Sequence, residues 1–200
     1  MYNSSVDFVV KSIQKSPLVN LNGLIYQKYQ NFFDDIWLEK IKKECVGQSY
    51  ESLEKQEHKP RKKLSYSSIL AKELKILFSN VKIKHALEKI YNTELKFSSC
   101  DLWNDSVNYF LVPHCDDDRI LLSIQIYLSD CGAAGTKFFK STVSNVTETN
   151  LWKNEYLEHE IKEIKYIRNN GYSMLNNFQN WHGVAPNQVN DRLSIYVRYI

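Results

Sequence analysis

Hydrophobic positions along the chain change period near residue 95. Between residues 31 and 90 apolar side chains recur at helical spacing: Phe32, Phe33, Ile36, Trp37 and Ile41, then Ile69, Leu70, Leu74, Leu77 and Phe78, then Val81, Ile83, Ala86, Leu87 and Ile90. From about Leu95 onward the period is two, and short runs recur between turn signals: "LKFSSCDLWN", "SVNYFLVP", "RILLSIQIYL", "GTKFFK", "LEHEIKEIKYI", "YSMLNNF" and "RLSIYVRYI". Many short strands at such spacing predict an antiparallel barrel or sandwich, with the helices as a layer over one outer face of the sheet. Between the first two helical segments lies "EKQEHKPRKKLSYSS", charged and broken by Pro60. It reads as an exposed loop whose Lys59, Arg61, Lys62 and Lys63 could meet an acidic partner.

Side chains alternate across a strand, so each run separates into two faces. Residues 121–128 place Leu122, Ile124, Ile126 and Leu128 on one side and Leu121, Ser123, Gln125 and Tyr127 on the other. The closing strand repeats the division, with Leu193, Ile195, Val197 and Tyr199 opposed to Arg192, Ser194, Tyr196 and Arg198. Two arrangements satisfy this pattern. The polar faces are wet, or they line a cavity inside the barrel while the aliphatic faces pack on the helices. Alternation alone does not choose between them.

A length of 200 residues suits one domain with a sizeable core, so we expect residues 1–94 to be mostly helical support and 95–200 the β core of a single unit. With 43% hydrophobic and 24% charged residues the chain falls among globular proteins, and a formal charge of +3 is too small to argue for nucleic acid by itself. The four cysteines, Cys45, Cys100, Cys115 and Cys131, form no C-x-x-C pair, which argues against a zinc ribbon or a disulfide scaffold. They read as reduced thiols, so a cytoplasmic location is expected. Neither a basic-then-apolar N-terminal segment nor a run of about 18 apolar residues occurs, so neither secretion nor a membrane partner is expected.

The candidate chemistry lies in "NYFLVPHCDDDRILLSIQIYL". His114 and Asp116 are one residue apart, so in extended backbone both side chains leave on the same side and can close on one ion. Alone, H-x-D is weak evidence. His182 in "NWHGVAP" follows a predicted strand, with Gly183 and Pro186 marking a turn, and Arg192 and Ser194 come some ten residues later. Two histidines and a carboxylate form the facial set used for non-haem Fe(II), which leaves coordination positions open; a catalytic zinc site with the same ligands satisfies the pattern as well.

H-x-D, a distant H and then R-x-S resembles the Fe(II)- and 2-oxoglutarate-dependent dioxygenases. "DRILLSIQIYLSDCGAAGTKFF" and "GYSMLNNFQNWHGVAPNQVNDRLSIYVRY" are similar to segments of the prolyl-hydroxylase-like branch, with Ala134-Gly135 where the branch has a Gly-Gly turn. The likeness covers about residues 95–200. It implies a double-stranded β-helix, a jelly-roll barrel of the cupin kind. It also implies His114, Asp116 and His182 as iron ligands and Arg192 as the group that binds the distal carboxylate of 2-oxoglutarate. Ser194 would add a donor, and Tyr109 and Tyr127 further contacts to the cosubstrate. Fe(II), 2-oxoglutarate and O2 are the implied cofactors, and ascorbate is allowed. The expected reaction is hydroxylation of a peptide residue, proline included, or of an amino-acid-like small molecule. Oxidative demethylation of a nucleic-acid base is the alternative, carried by the R-x5-R spacing of Arg192 and Arg198, and a non-catalytic binding barrel ranks last because every ligand type is present. Oligomeric state is left open.

Other residues have ordinary readings. Asp117 and Asp118 are expected to meet water at a strand entry, with Asp118 also able to pair with Arg119 or a cationic substrate. His58, His85 and His159 read as surface or helix residues, Cys115 as pointing away from the ion, and Trp103 and Trp181 as core more often than substrate mouth.

Overall fold

The computed structural model describes residues 2–45, 50–52, 61–65, 67–129, 135–145, 151–177, 180–186 and 190–200. In chain order its elements are α1 (Tyr2–Lys15), β1 (Leu18–Leu21), β2 (Leu24–Tyr29), α2 (Asp35–Cys45), β3 (Tyr50–Ser52), β4 (Arg61–Leu64), α3 (Ile69–Phe78), α4 (Val81–Tyr91), β5 (Phe97–Asp105) and β6 (Leu111–His114). There follow β7 (Leu122–Tyr127), β8 (Thr136–Phe139), two short 3-10 turns at Ser141–Asn145 and Asn154–His159, β9 (Glu160–Ile164), β10 (Gly171–Leu175), β11 (Trp181–Val184) and β12 (Arg192–Tyr199).

The strands form two antiparallel sheets, of order β1-β2-β10-β7-β12-β5-β4-β3 and β6-β11-β8-β9. From β5 on, the chain crosses back and forth between them, which gives the double-stranded β-helix. The alternation in β7 and β12 explains the layering. Leu122, Ile124, Ile126, Leu128, Ile195, Val197 and Tyr199 join Val9, Ile13, Ile41, Leu74, Leu77 and Leu87 of the four helices in one buried cluster. The opposite faces look toward the small sheet, and every residue of β7 is buried. The polar faces therefore enclose a chamber. A second cluster, with Tyr127, Phe138, Ile164 and Met174, holds the sheets together at one end. Among the described residues the outer side of the small sheet is backed by Phe139, Val143 and Tyr156, with Val112, Trp152 and Trp181 against them.

Local chemistry sets the helix ends. Ser68 caps α3 by accepting from the Ala71 amide, Asn80 caps α4 by accepting from Lys82, and Asn92 closes α4 in the left-handed conformation. Helix α2 starts later than the apolar spacing implies: Phe32 and Phe33 precede it. Asn169 fixes them there, its side chain bonding the Phe33 amide and carbonyl and its own carbonyl the Phe32 amide. Ile36, Ile69 and Val81 are 61%, 70% and 55% exposed, off the faces that touch the sheet.

The N-terminal half is less helical than its pattern. The β1–β2 hairpin extends the large sheet through β10, and its two-residue turn is Asn22-Gly23, with φ of 53° and 88°. Part of the basic stretch is not a loop. Arg61–Leu64 is strand β4, paired with β5, and Lys62 alone of its cations is fully exposed. The cause is electrostatic: Asp101 and Asp105 on β5 are buried, and Lys63 and Arg61 come into the sheet to neutralise them at 2.8 and 2.5 Å. Pro60, Lys59, His58, Cys131 and Ala134 lie outside the described residues.

Ile124→Ala empties a site in the main cluster and is expected to cost about 2–5 kcal/mol in urea unfolding, whereas Ile36→Ala on the exposed side of α2 should stay within about 0.5 kcal/mol.

Candidate metal centre and chamber

His114 ends β6, and His182 is the second residue of β11; the two are direct partners across that antiparallel pair, with ring centroids 4.5 Å apart. A bulge between His182 and Val184 accommodates the approach, and Gly183 makes it sterically allowed, because a Cβ there would sit 2.6 Å from the Leu111 carbonyl oxygen. Asp116, two residues beyond His114, completes the group: one ligand atom from each of His114, Asp116 and His182 lies within 4.8 Å of the others.

Protonation follows from the neighbours. Nδ1 of His114 lies 3.0 Å from the Val112 carbonyl, and Nδ1 of His182 lies 3.1 Å from that of Asn180. A carbonyl only accepts, so each ring carries its proton on Nδ1 and keeps the Nε2 lone pair for a metal. The Asp116 Oδ2 accepts from the Tyr196 hydroxyl at 2.7 Å and the Ser123 hydroxyl at 2.9 Å, while Oδ1 faces His182 Nε2 at 3.8 Å. Burial acts to raise the pKa of this carboxyl, but the His182 imidazole and the two hydroxyl donors outweigh it and hold the group ionised below its usual range.

The three residues line a cavity of about 230 Å³. Its other walls include the buried Gln125, Thr136 and Tyr172 and the half-buried Arg61, Trp103 and Arg198. A hydrogen-bond chain runs inward from it. Tyr172 and Thr136 both donate to Gln125 Oε1, Tyr127 donates to Thr136 at 2.9 Å, and Gln125 Nε2 reaches the Ser194 hydroxyl at 3.5 Å. Burial raises the Tyr127 pKa, with Thr136 and the charge of Arg192 acting against it. Arg192 is 0% exposed, rests over the Tyr166 ring at 5.0 Å, and has no hydrogen bond on Nε, Nη1 or Nη2 among the described residues. A guanidinium cannot shed its charge, so three unmatched buried donors mark a place for an anion.

The predicted residues thus fall into three places. His114, Asp116 and His182 meet at one mouth of the barrel; Arg192, Ser194 and Tyr127 lie behind Gln125 and Thr136; Tyr109 is buried under the Arg61 guanidinium, 4.4 Å from its ring, and does not line the cavity. Ser123 and Tyr196, which alternation along β7 and β12 places on the chamber side, bond Asp116, while Arg61, Thr136 and Tyr172 line the cavity without a local sequence signal. Trp103 lines the cavity, whereas Trp181 packs outside it near Phe139. Arg119 pairs with Asp117, at 2.7 Å, rather than with Asp118. His85 sits 3.9 Å from Glu88 and His159 bonds Thr142, both remote from the cavity. Cys115 is half-buried, its thiol pKa raised by burial and by the charge of Asp116.

No family model and no curated protein matches the chain. Solved structures do. An oxidoreductase of the 2OG-Fe(II) oxygenase family from Burkholderia pseudomallei aligns with TM-score 0.61 at 12% identity over 97% of this chain and 89% of its own. A Pseudomonas putida prolyl-4-hydroxylase aligns with TM-score 0.56 at 12% identity, covering 99% and 98% of the two chains. The epimerase SnoN, in complex with Fe3+, alpha ketoglutarate and nogalamycin RO, aligns with TM-score 0.62 at 9% identity over 98% and 83%. The chain has the Fe(II)/2-oxoglutarate oxygenase fold. Within the oxygenase fold of this chain, β6 and β11 of the small sheet carry the histidines, and β7 and β12 of the large sheet carry the polar inner wall.

His114→Ala or Asp116→Ala should abolish stoichiometric Mn(II) binding in calorimetric titration. Tyr196→Phe, which removes one donor to Asp116, should weaken it on the order of 10–100-fold, the range for a lost ligand support; unchanged affinity would separate Tyr196 from the centre.

Proposed function

We propose that the protein is an Fe(II)- and 2-oxoglutarate-dependent oxygenase that hydroxylates an amino-acid-like small molecule or a peptide residue. The observation that carries this reading is the buried Arg192 guanidinium, unmatched among the described residues and set behind the Gln125 and Thr136 wall of the cavity that His114, Asp116 and His182 line. The donor set fits a divalent transition metal with open positions. Arg192 fits a carboxylate, which its planar fork binds through two charge-assisted hydrogen bonds. SnoN has been solved with Fe3+ and alpha ketoglutarate, and HygX with nickel, 2-oxoglutarate and hygromycin B, so the fold accommodates both groups in those proteins.

In this reading His114, Asp116 and His182 hold the iron, and Arg192, with Ser194 and Tyr127 beside it, holds the distal carboxylate of 2-oxoglutarate. Bound together, iron and 2-oxoglutarate supply an O2-driven oxidation of a substrate C–H bond with release of succinate and CO2. The chain's own contribution is order. The Val112 and Asn180 carbonyls fix the two imidazoles, Tyr196 and Ser123 orient Asp116, and Gln125 spans from Thr136 to Ser194 along the cosubstrate's path. Leu111 and Val184 give the mouth an apolar rim that limits water beside the metal. Base demethylation is the weaker reading: it rests on the R-x5-R spacing, and of its two arginines Arg198 lines the cavity while Arg192 does not.

Two measurements test this. The protein with Fe(II), 2-oxoglutarate and O2 should release succinate slowly even without a prime substrate, faster than Asp116→Ala; no difference would refute the enzyme. Arg192→Ala should raise the 2-oxoglutarate dissociation constant of the Mn(II) form on the order of a hundredfold while leaving Mn(II) affinity in place, and an unchanged constant would remove Arg192 from the cosubstrate site.

A further inference from the structure

The cavity that holds the ligand group also carries cations outside the His-Asp-His set and Arg192. Arg61, Lys63 and Arg198 converge on two buried carboxylates, Asp101 and Asp105. Asp105 takes Nε and Nη2 of Arg61, leaving Nη1 without a hydrogen bond among the described residues. Asp101 takes Nη2 of Arg198 at 2.5 Å, while Nε of Arg198 is buried with no hydrogen bond among the described residues. Both guanidinium groups line the cavity that holds His114, Asp116 and His182. Trp103 lies between the cations, 4.7 Å from Arg61 and 5.4 Å from Lys63, and gives the same cavity a flat apolar wall. Asp116 is the one acidic side chain on the lining among the described residues, and it is committed to the ligand group.

A cationic, aromatic-walled pocket beside a metal centre selects for charge as well as shape. Building on the oxygenase reading, we propose that the prime substrate is a small molecule bearing an oxyanion, a carboxylate or a phosphate monoester. The oxyanion docks on Arg198 and Arg61 beside Trp103, so that a neighbouring C–H bond is presented to the metal. A cavity of about 230 Å³ suits a small molecule rather than a folded partner.

The test uses Mn(II)-loaded protein with saturating 2-oxoglutarate under argon, titrated with benzoate, phenyl phosphate and the neutral isostere benzamide by calorimetry. Benzoate or phenyl phosphate should bind at least about tenfold more tightly than benzamide, a difference of about 1.4 kcal/mol, and which of the two is tighter assigns the oxyanion. Arg198→Gln should remove that preference. This variant leaves Asp101 its 2.8 Å partner Lys63, so the buried carboxylate stays matched, and a thermal melt checks it. Benzamide binding as tightly as both anions overturns the proposal, and it does so on the unaltered protein. So does an Arg198→Gln variant in which 2-oxoglutarate affinity falls as far as benzoate affinity, because Arg198 would then serve the cosubstrate. Failure of the oxygenase reading looks different: 2-oxoglutarate binds no more tightly with Mn(II) than without, and the anion titration of the metal-free protein still decides the charge preference.

Discussion

A polar strand face that is closed off from water has to be satisfied from within. β7 is buried on both faces and β12 on most of its length, and the side away from the helices carries Ser123, Gln125, Tyr127, Arg192, Ser194, Tyr196 and the half-buried Arg198. Each buried hydroxyl or amide left unbonded would cost on the order of 1–3 kcal/mol, so these groups find one another: Tyr127 with Thr136, Thr136 and Tyr172 with Gln125, Tyr196 and Ser123 with Asp116. The groups left over then acquire meaning. Among the described residues they are the three donor nitrogens of Arg192, buried behind the cavity wall, and the Nε of Arg198, which is on the lining.

Much of the β half could be read from the chain because a strand with one apolar side and one polar side declares itself at period two. The metal group was legible for a related reason: H-x-D in extended backbone fixes two ligands on one side, and the histidine after a predicted strand needed only the β6–β11 pairing to bring it opposite. The N-terminal half was less transparent. The β1–β2 hairpin hides in "LVNLNGLIYQKY", where Asn22-Gly23 is a strong turn signal but the flanking alternation is short. Strand β4 was misread because its composition is that of a solvated loop, and only the long-range demand of Asp101 and Asp105 for counter-charge folds it into the sheet. Phe32 and Phe33 fitted the helical period yet lie outside α2, since a local spacing carries no information about Asn169, more than a hundred residues away.

The substrate contacts proposed here lie on other strands than the two histidines. The sheet pairings that unite His114 with His182 belong to a fold shared with hydroxylases and an epimerase at 9–12% identity, and a shared fold permits many substrates. At the cavity Arg61, Trp103 and Arg198 come from β4, β5 and β12, and two buried aspartates hold the arginines. The histidines stand on the small sheet and these three residues on the large one.

The two walls are also unequally supported. The large sheet is clamped by four helices through a cluster running from Val6 to Tyr199, whereas the outer side of the small sheet has Phe139, Val143 and Tyr156 and two 3-10 turns. Opening free energies follow packing, so amides of β6, β8, β9 and β11 are expected to exchange with solvent deuterium before those of β7 and β12. The histidine pair is carried by the layer with the thinner backing among the described residues.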